Sequence, residues 1–341
     1  MRAHLPSILL AGGLVLAAAL PSRAVEYNVV KQQALGGEGG WDYLKVDEEA
    51  RRLYISRGTK VVVVDADTLG PAGEIPDTPG VHGIAIDREH GLGFTSNGRD
   101  DSVTVFELAT LKSVGRVKTG ANPDAILFDP FTRRVYAFNG RSGDVTVIDT
   151  ATRAAVGTVP VGGKLEFGAT DGAGRIFVNV EDKNQIAAID AKALKVLARW
   201  PLAGCEEPSG LAIDAPHHRL FSVCGNKHMV VVDDRDGRLV ATLPIGEGPD
   251  AAAFDPDGQL AFSSNGDGTL TVVHESSPDA FEVVQTVKTQ PSARTMALDP
   301  RTHNIYLVAA RFGERPPATP EMPRPRPPVL PGSFTVLVVG R

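Results

Sequence analysis

Hydrophobic positions in this chain fall in short runs of four to six residues, broken at regular intervals by Asp, Asn, Gly and Pro. Residues 123–164 show the unit best: ILF, VYAF, VTVI and VGTVPV are separated by DPFTRR, NGRSGD and DTATRA. Runs of β-forming residues between turn-forming clusters predict a four-stranded antiparallel meander. The rest of the chain repeats it. An aromatic in the second run recurs at Tyr54, Phe94, Tyr136, Phe177, Phe221, Phe262 and Tyr306, spaced by 40 to 44 residues. An aspartate closing the first run keeps step at Asp47, Asp87, Asp129, Asp171, Asp214, Asp255 and Asp299. A period near 42 with four strands per unit predicts an all-β, seven-bladed β-propeller whose blades pack face to face.

The ends of the pattern predict how the ring closes. The seventh unit stops at its third strand, FTVLVVGR, whereas the early segment EYNVVKQQALGG reads as a fourth strand. Residues 26–35 are therefore expected to pair onto the last blade, leaving no free sheet edge. The seventh unit also carries a proline-rich insertion over 313–332, holding eight of the chain's 25 prolines. Proline cannot donate to a sheet and favours polyproline II, which predicts an extended loop. Its place between second and third strands puts it on the channel-mouth face, as a lid or as a platform presenting Arg324 and Arg326 to a protein.

Before the first unit, Met1, Arg2 and His4 precede the apolar stretch Ile8–Leu20 and the small-x-small sequence Ser22-Arg23-Ala24. This predicts an export signal over residues 1–24, cleaved after Ala24, and a periplasmic or secreted single domain over 25–341. Thirteen apolar residues are too few for a membrane span, and Val25 stands where a lipoprotein would need cysteine. Without the signal, 33 basic residues face 41 acidic ones, a formal charge of −8. That balance, with no basic stripe, excludes nucleic acid as an expected partner.

The quartet Tyr136-Ala-Phe-Asn139 followed by VTVID resembles the YVTN-repeat propellers, the YncE-like exported proteins. Phe94-Thr-Ser-Asn97 and Phe262-Ser-Ser-Asn265 are looser copies, and Gly-x-x-Pro-Asp at 120–124 and 246–250 fits the same pattern. Arg57, Val180, Cys224 and Ala309 replace the asparagine in the other blades. The resemblance implies a seven-bladed propeller and no particular activity.

In a propeller, the blade-entry residues and the loops between second and third strands share one face around the central channel. The entry column reads Asp42, His82, Asp124, Glu166, Ser209, Asp250 and Arg294, and the loops add Asn97, Asn139, Asn265 and His228. Carboxylate and amide oxygens suit hard cations and a histidine admits transition metals, so His82, Asp124, Glu166, Asp250, Asn97, Asn139, Asn265 and His228 form a candidate ligand site. Asp42, Asp124, Glu166 and Asp250 are the candidate metal ligands. The plainer reading is that short polar residues start blades because they stabilise turns. His90, His217, His218 and His303 fall in turns of the opposite face and read as turn residues. Cys205 and Cys224 lie across one loop pair of the fifth blade, the arrangement of a disulfide in an oxidising compartment, with a thiolate ligand near His228 as the rival reading.

No C-x-x-C-H, H-E-x-x-H, G-x-S-x-G, P-loop or dinucleotide-binding motif occurs. The expected function is binding, by a monomeric exported propeller, of a small cationic ligand or a protein partner at the channel mouth. No cofactor is implied beyond a candidate divalent metal ion. The alternatives are a metal-dependent hydrolase, lactonase or lyase using the acidic ring with His82 as acid/base, and a scaffold using the proline-rich loop.

Overall fold

The computed structural model describes residues 26–37, 39–319, 322, 325 and 327–341. The export signal read over 1–24 lies outside them, as do Arg324 and Arg326. Among the described residues no helix is long and apolar enough to cross a membrane. Seven four-stranded antiparallel sheets follow one another as blades: 44–75, 81–118, 123–160, 165–201, 208–244, 249–288 and a seventh built from both ends of the chain. In the seventh, strands Met296–Asp299, Asn304–Ala309 and Thr335–Gly340 are completed by Asn28–Ala34, which pairs antiparallel along Thr335–Gly340. This outer strand closes the ring, and Tyr27 beside it is fully buried against Phe262 of the sixth blade.

The second-strand aromatics from Tyr54 to Tyr306 are all at most 1% exposed. Each packs where two blades meet, because a single four-stranded sheet has no other way to cover both faces. Tyr306 and Tyr136 also place their hydroxyls: they donate to the Ala66 and Ala191 carbonyls of the following blades at 2.9 and 2.8 Å. The aspartates closing the first strands cap turns. Asp47 accepts from the Ala50 amide at 2.7 Å, Asp129 from Thr132 at 2.9 Å and Asp299 from Arg301 at 3.1 Å. Most also meet a cation or hydroxyl from a neighbouring blade, as Asp299 meets Arg51 at 2.7 Å and Asp129 meets Thr170 at 2.6 Å. Cys205 and Cys224 are joined by a disulfide, with Cα atoms 5.4 Å apart.

The proline-rich excursion has a short antiparallel stem. Phe312 and Val329 form a β-bridge, and the Leu330 amide donates to the Arg311 carbonyl at 2.8 Å. Phe312 and Phe334 flank Trp41, with ring centroids 5.8 and 5.3 Å away, which fixes the stem beside the first blade entry.

Candidate functional site at the channel mouth

A repeated hydrogen-bond scheme holds the entry column in place. The Ser56 hydroxyl accepts from the Asp42 amide at 2.9 Å, and Ser96 accepts from Gly83 at 2.8 Å while donating to the Asp124 carbonyl of the next blade. Thr295 donates to the Asp42 carbonyl at 2.7 Å, which links the last blade to the first. In the first two blades the second strand thus helps to set where the entry residues stand.

The side chains of the column divide into three groups. Asp42, His82 and Asp124 converge: His82 Nδ1 lies 2.6 Å from Asp42 Oδ2 and 3.6 Å from Asp124 Oδ1. One ligand atom from each of these three lies within 4.8 Å of the others. Asp250 pairs with Arg294 at 2.8 Å, and Arg294 also approaches Asp42 at 3.8 Å. Glu166 pairs with Lys164 at 2.8 Å, and Lys164 also meets Glu181. The four acids read as metal ligands therefore lie around one mouth, but only Asp42 and Asp124 share a histidine, while Glu166 and Asp250 are each engaged by a cation.

Crowded carboxyls at a partly desolvated mouth resist ionisation. Burial, opposed by His82 and aided by Asp42, pushes Asp124 up to about 6. Burial, opposed by Arg294 and aided by Asp42 and Asp124, pushes Asp250 up to about 7. Glu166 is raised by burial and by the Asp124 charge. Burial depresses the His82 imidazolium, but the Asp42 hydrogen bond and the Asp124 charge outweigh it, so the net shift is upward.

Directly beneath the acids lies an aromatic floor. Tyr43 and Phe167, each one residue beyond an entry acid, meet edge to face with centroids 5.1 Å apart. Below them the bore is apolar, a cavity of about 400 Å³ lined by Ile84, Ala125, Phe167, Leu211 and Phe254, and it continues into a cavity of about 530 Å³ at the other face. Lys45 lines both cavities; water reaches its side chain, yet the surrounding bore lowers its pKa through desolvation.

The three loop asparagines are not part of the ring. Asn97, Asn139 and Asn265 are fully buried, and their amides tie second strand to third: Asn97 to Thr104 at 2.9 Å, Asn139 to Thr146 at 3.0 Å, Asn265 to Thr271 at 3.1 Å. His228 stands in the fifth blade, its Nδ1 3.2 Å from the Gly204 carbonyl, away from the acids. Sequence reasoning missed Tyr43 and Phe167. The column after the entry residue reads Tyr43, Gly83, Ala125, Phe167, Gly210, Ala251 and Thr295. Two large rings among five small residues are the signal that the centre is filled from two blades.

No family model and no curated protein matches the chain. Among solved structures it resembles a chain of Kuenenia stuttgartiensis hydrazine synthase, with a TM-score of 0.66 and 19% sequence identity over 79% of this chain and 92% of that one. The likeness is one of fold. It places this chain among the seven-bladed β-propellers and carries no activity across.

Proposed function

We propose that this protein is an exported, YVTN-repeat-like propeller that binds a small cationic ligand at its channel mouth. The observation that carries the reading is the basin itself: Asp42 and Asp124 on either side of His82, above the Tyr43–Phe167 floor. Carboxyls held with raised pKa values gain from any cation that replaces a proton, and aromatic rings below a cation add attraction. The Cys205–Cys224 bond suits an oxidising compartment and supports export. The test is calorimetric titration of the mature chain with a divalent metal and with primary and quaternary ammonium ions. Binding that disappears in Asp42→Asn/Asp124→Asn supports the reading, and binding that is absent or survives that change defeats it.

A second reading, a metal-dependent hydrolase or lactonase, is favoured by the proximity of Asp42, His82 and Asp124, one ligand atom from each lying within 4.8 Å of the others. Three protein ligands with an open position is the arrangement of catalytic metal sites. Lactone turnover that requires added metal and is lost in His82→Gln would establish it in place of simple binding.

A further inference from the structure

On the face opposite the mouth, Glu275 lies within the third strand of the sixth blade, Thr269–Ser277, with its side chain 1% exposed, and neither carboxylate oxygen receives a hydrogen bond. A buried carboxylate without donors is expensive to keep. Its neighbours sharpen the problem. Asp214 of the fifth blade is 4% exposed and carries the same charge. His217 is the only basic side chain within ion-pair reach of Glu275 among the described residues, at 3.2 Å, but its Nδ1 is already 2.7 Å from Asp214 Oδ2.

The repeat shows what is missing. The position that follows the third strand in the first five blades, and that the longer third strand of the sixth still contains, reads Ala66, Leu108, Thr150, Ala191, Asp234 and Glu275. It faces the first-strand turn of the preceding blade, and only the last two members are acidic. Asp234 has its counter-ion: Arg175 Nη2 lies 2.9 Å away and His218 Nδ1 3.1 Å. The fifth-blade equivalent of Arg175 is Arg219, which turns to Asp233 at 3.1 Å, Asp279 at 3.0 Å and the Pro278 carbonyl. Glu275 is thus the acidic member of the column whose arginine is committed elsewhere. A proton shared between Asp214 and Glu275 would relieve the repulsion but would still leave one Glu275 oxygen unmatched, whereas a cation can engage both. Burial and the Asp214 charge, against the pull of His217, push Glu275 up to about 7, the response of a carboxyl short of positive charge.

We propose that Asp214, His217 and Glu275 bind a divalent transition-metal ion that ties the fifth blade to the sixth. One ligand atom from each lies within 4.8 Å of the others. An imidazole with two carboxylates suits ions of the zinc and manganese class rather than calcium, which prefers oxygen alone. The imidazole would present the Nδ1 lone pair to the ion and carry its proton on Nε2. A similar cluster, Asp255, Asp257 and His303, differs in having Arg341 3.4 Å from Asp255, so its buried carboxylate already has a counter-ion.

The test uses Zn²⁺ with the mature chain carrying Asp42→Asn/Asp124→Asn, which silences the mouth, so the two sites succeed or fail separately. One equivalent of Zn²⁺ should bind and raise the unfolding temperature. Glu275→Gln, which keeps shape and removes charge, should weaken binding by roughly tenfold or more and abolish the thermal shift. His217→Gln, at a half-exposed position, should do the same and serves if the first variant fails to fold. Absence of Zn²⁺ uptake by the mouth-silenced protein, or affinity unchanged in both variants, overturns the proposal.

Discussion

Tyr43 and Phe167 meet edge to face at the centre of the ring, 5.1 Å between centroids, although one enters from the first blade and the other from the fourth. Both rings line the apolar bore, and Tyr43 sits near enough to the acids of the mouth to feel the charge of Asp124, Asp42, Asp250 and Glu166. Phe167 is half-buried and borders open space, so Phe167→Ala is expected to cost less than the roughly 3 kcal/mol lower end for a fully buried aromatic. It should also weaken cation binding several-fold. Tyr43→Phe keeps the floor and should change affinity less than about twofold if ring faces rather than the hydroxyl matter. Denaturant unfolding and calorimetry of both variants decide the point. Unchanged stability and affinity in Phe167→Ala would show that the contact supports neither.

The mouth carboxyls give the fold a pH dependence with a definite sign. Asp250, ordinarily near 3.8 and here pushed up to about 7, binds its proton more tightly in the folded chain than in the unfolded one. Such a group contributes stability that is complete below about pH 4 and is lost as pH rises through about 7. Asp124, pushed up to about 6, acts in the same direction over a narrower window. The protein should therefore lose stability relative to its Asp250→Asn variant between about pH 4 and pH 7. Cation binding at the mouth should tighten over the same interval as protons leave. The measurement is the difference in unfolding free energy between the two proteins across that range. A difference independent of pH would mean that Asp250 is ionised throughout, held by Arg294.

The disulfide closes a loop of 19 residues between the fourth-to-fifth blade connection and the second strand of the fifth blade. In the chain-entropy account a loop of that size is worth about 3 kcal/mol. Both cysteines are almost fully buried, so Cys205→Ala/Cys224→Ala should lower the denaturant midpoint without exposing a polar group. Reductant should move the wild-type midpoint towards that of the variant. Equal midpoints for the two oxidised proteins would show that native packing alone holds the loop.

The blades were legible in the sequence because two independent columns, the second-strand aromatics and the first-strand aspartates, serve needs that every blade repeats. One fills an interblade seam and the other caps a turn, and each recurs because every blade meets its neighbour in the same way. The mouth was legible as a list of entry residues but not as a site. Which acid meets His82, and that Arg294 and Lys164 each engage a different acid, follows from how seven inner strands converge, which a column read one blade at a time does not contain. The asparagines misled for a related reason. Their position near the mouth suggested exposure, whereas Asn97 is turned inward to Thr104 at 2.9 Å. Glu275 was hidden because its meaning lies in a partner that is absent: its column looks like any strand end until Arg219 is seen to point elsewhere.

Ring closure by the N-terminal strand gives the sharpest stability prediction. Asn28–Ala34 is nearly all exposed on its outer side, so its own burial contributes little. Its role is to cover the edge of Thr335–Gly340, a strand with every residue buried. Tyr27 adds an anchor: its backbone amide donates to Gln285 at 2.9 Å, its carbonyl accepts from the same side chain at 2.8 Å, and its ring packs on Phe262 of the sixth blade. A chain beginning at residue 36 would present an uncovered edge of TVLVVG, rich in β-formers and without charge. Such an edge is a template for pairing with another chain. The truncated protein should therefore associate at concentrations where the longer one stays monodisperse. Adding a synthetic peptide of residues 26–35 should reverse that association by supplying the missing strand in trans. Light scattering of the truncated protein with and without the peptide is the measurement. A truncated chain that stays monodisperse and as stable as the parent would mean that the seventh blade needs only three strands.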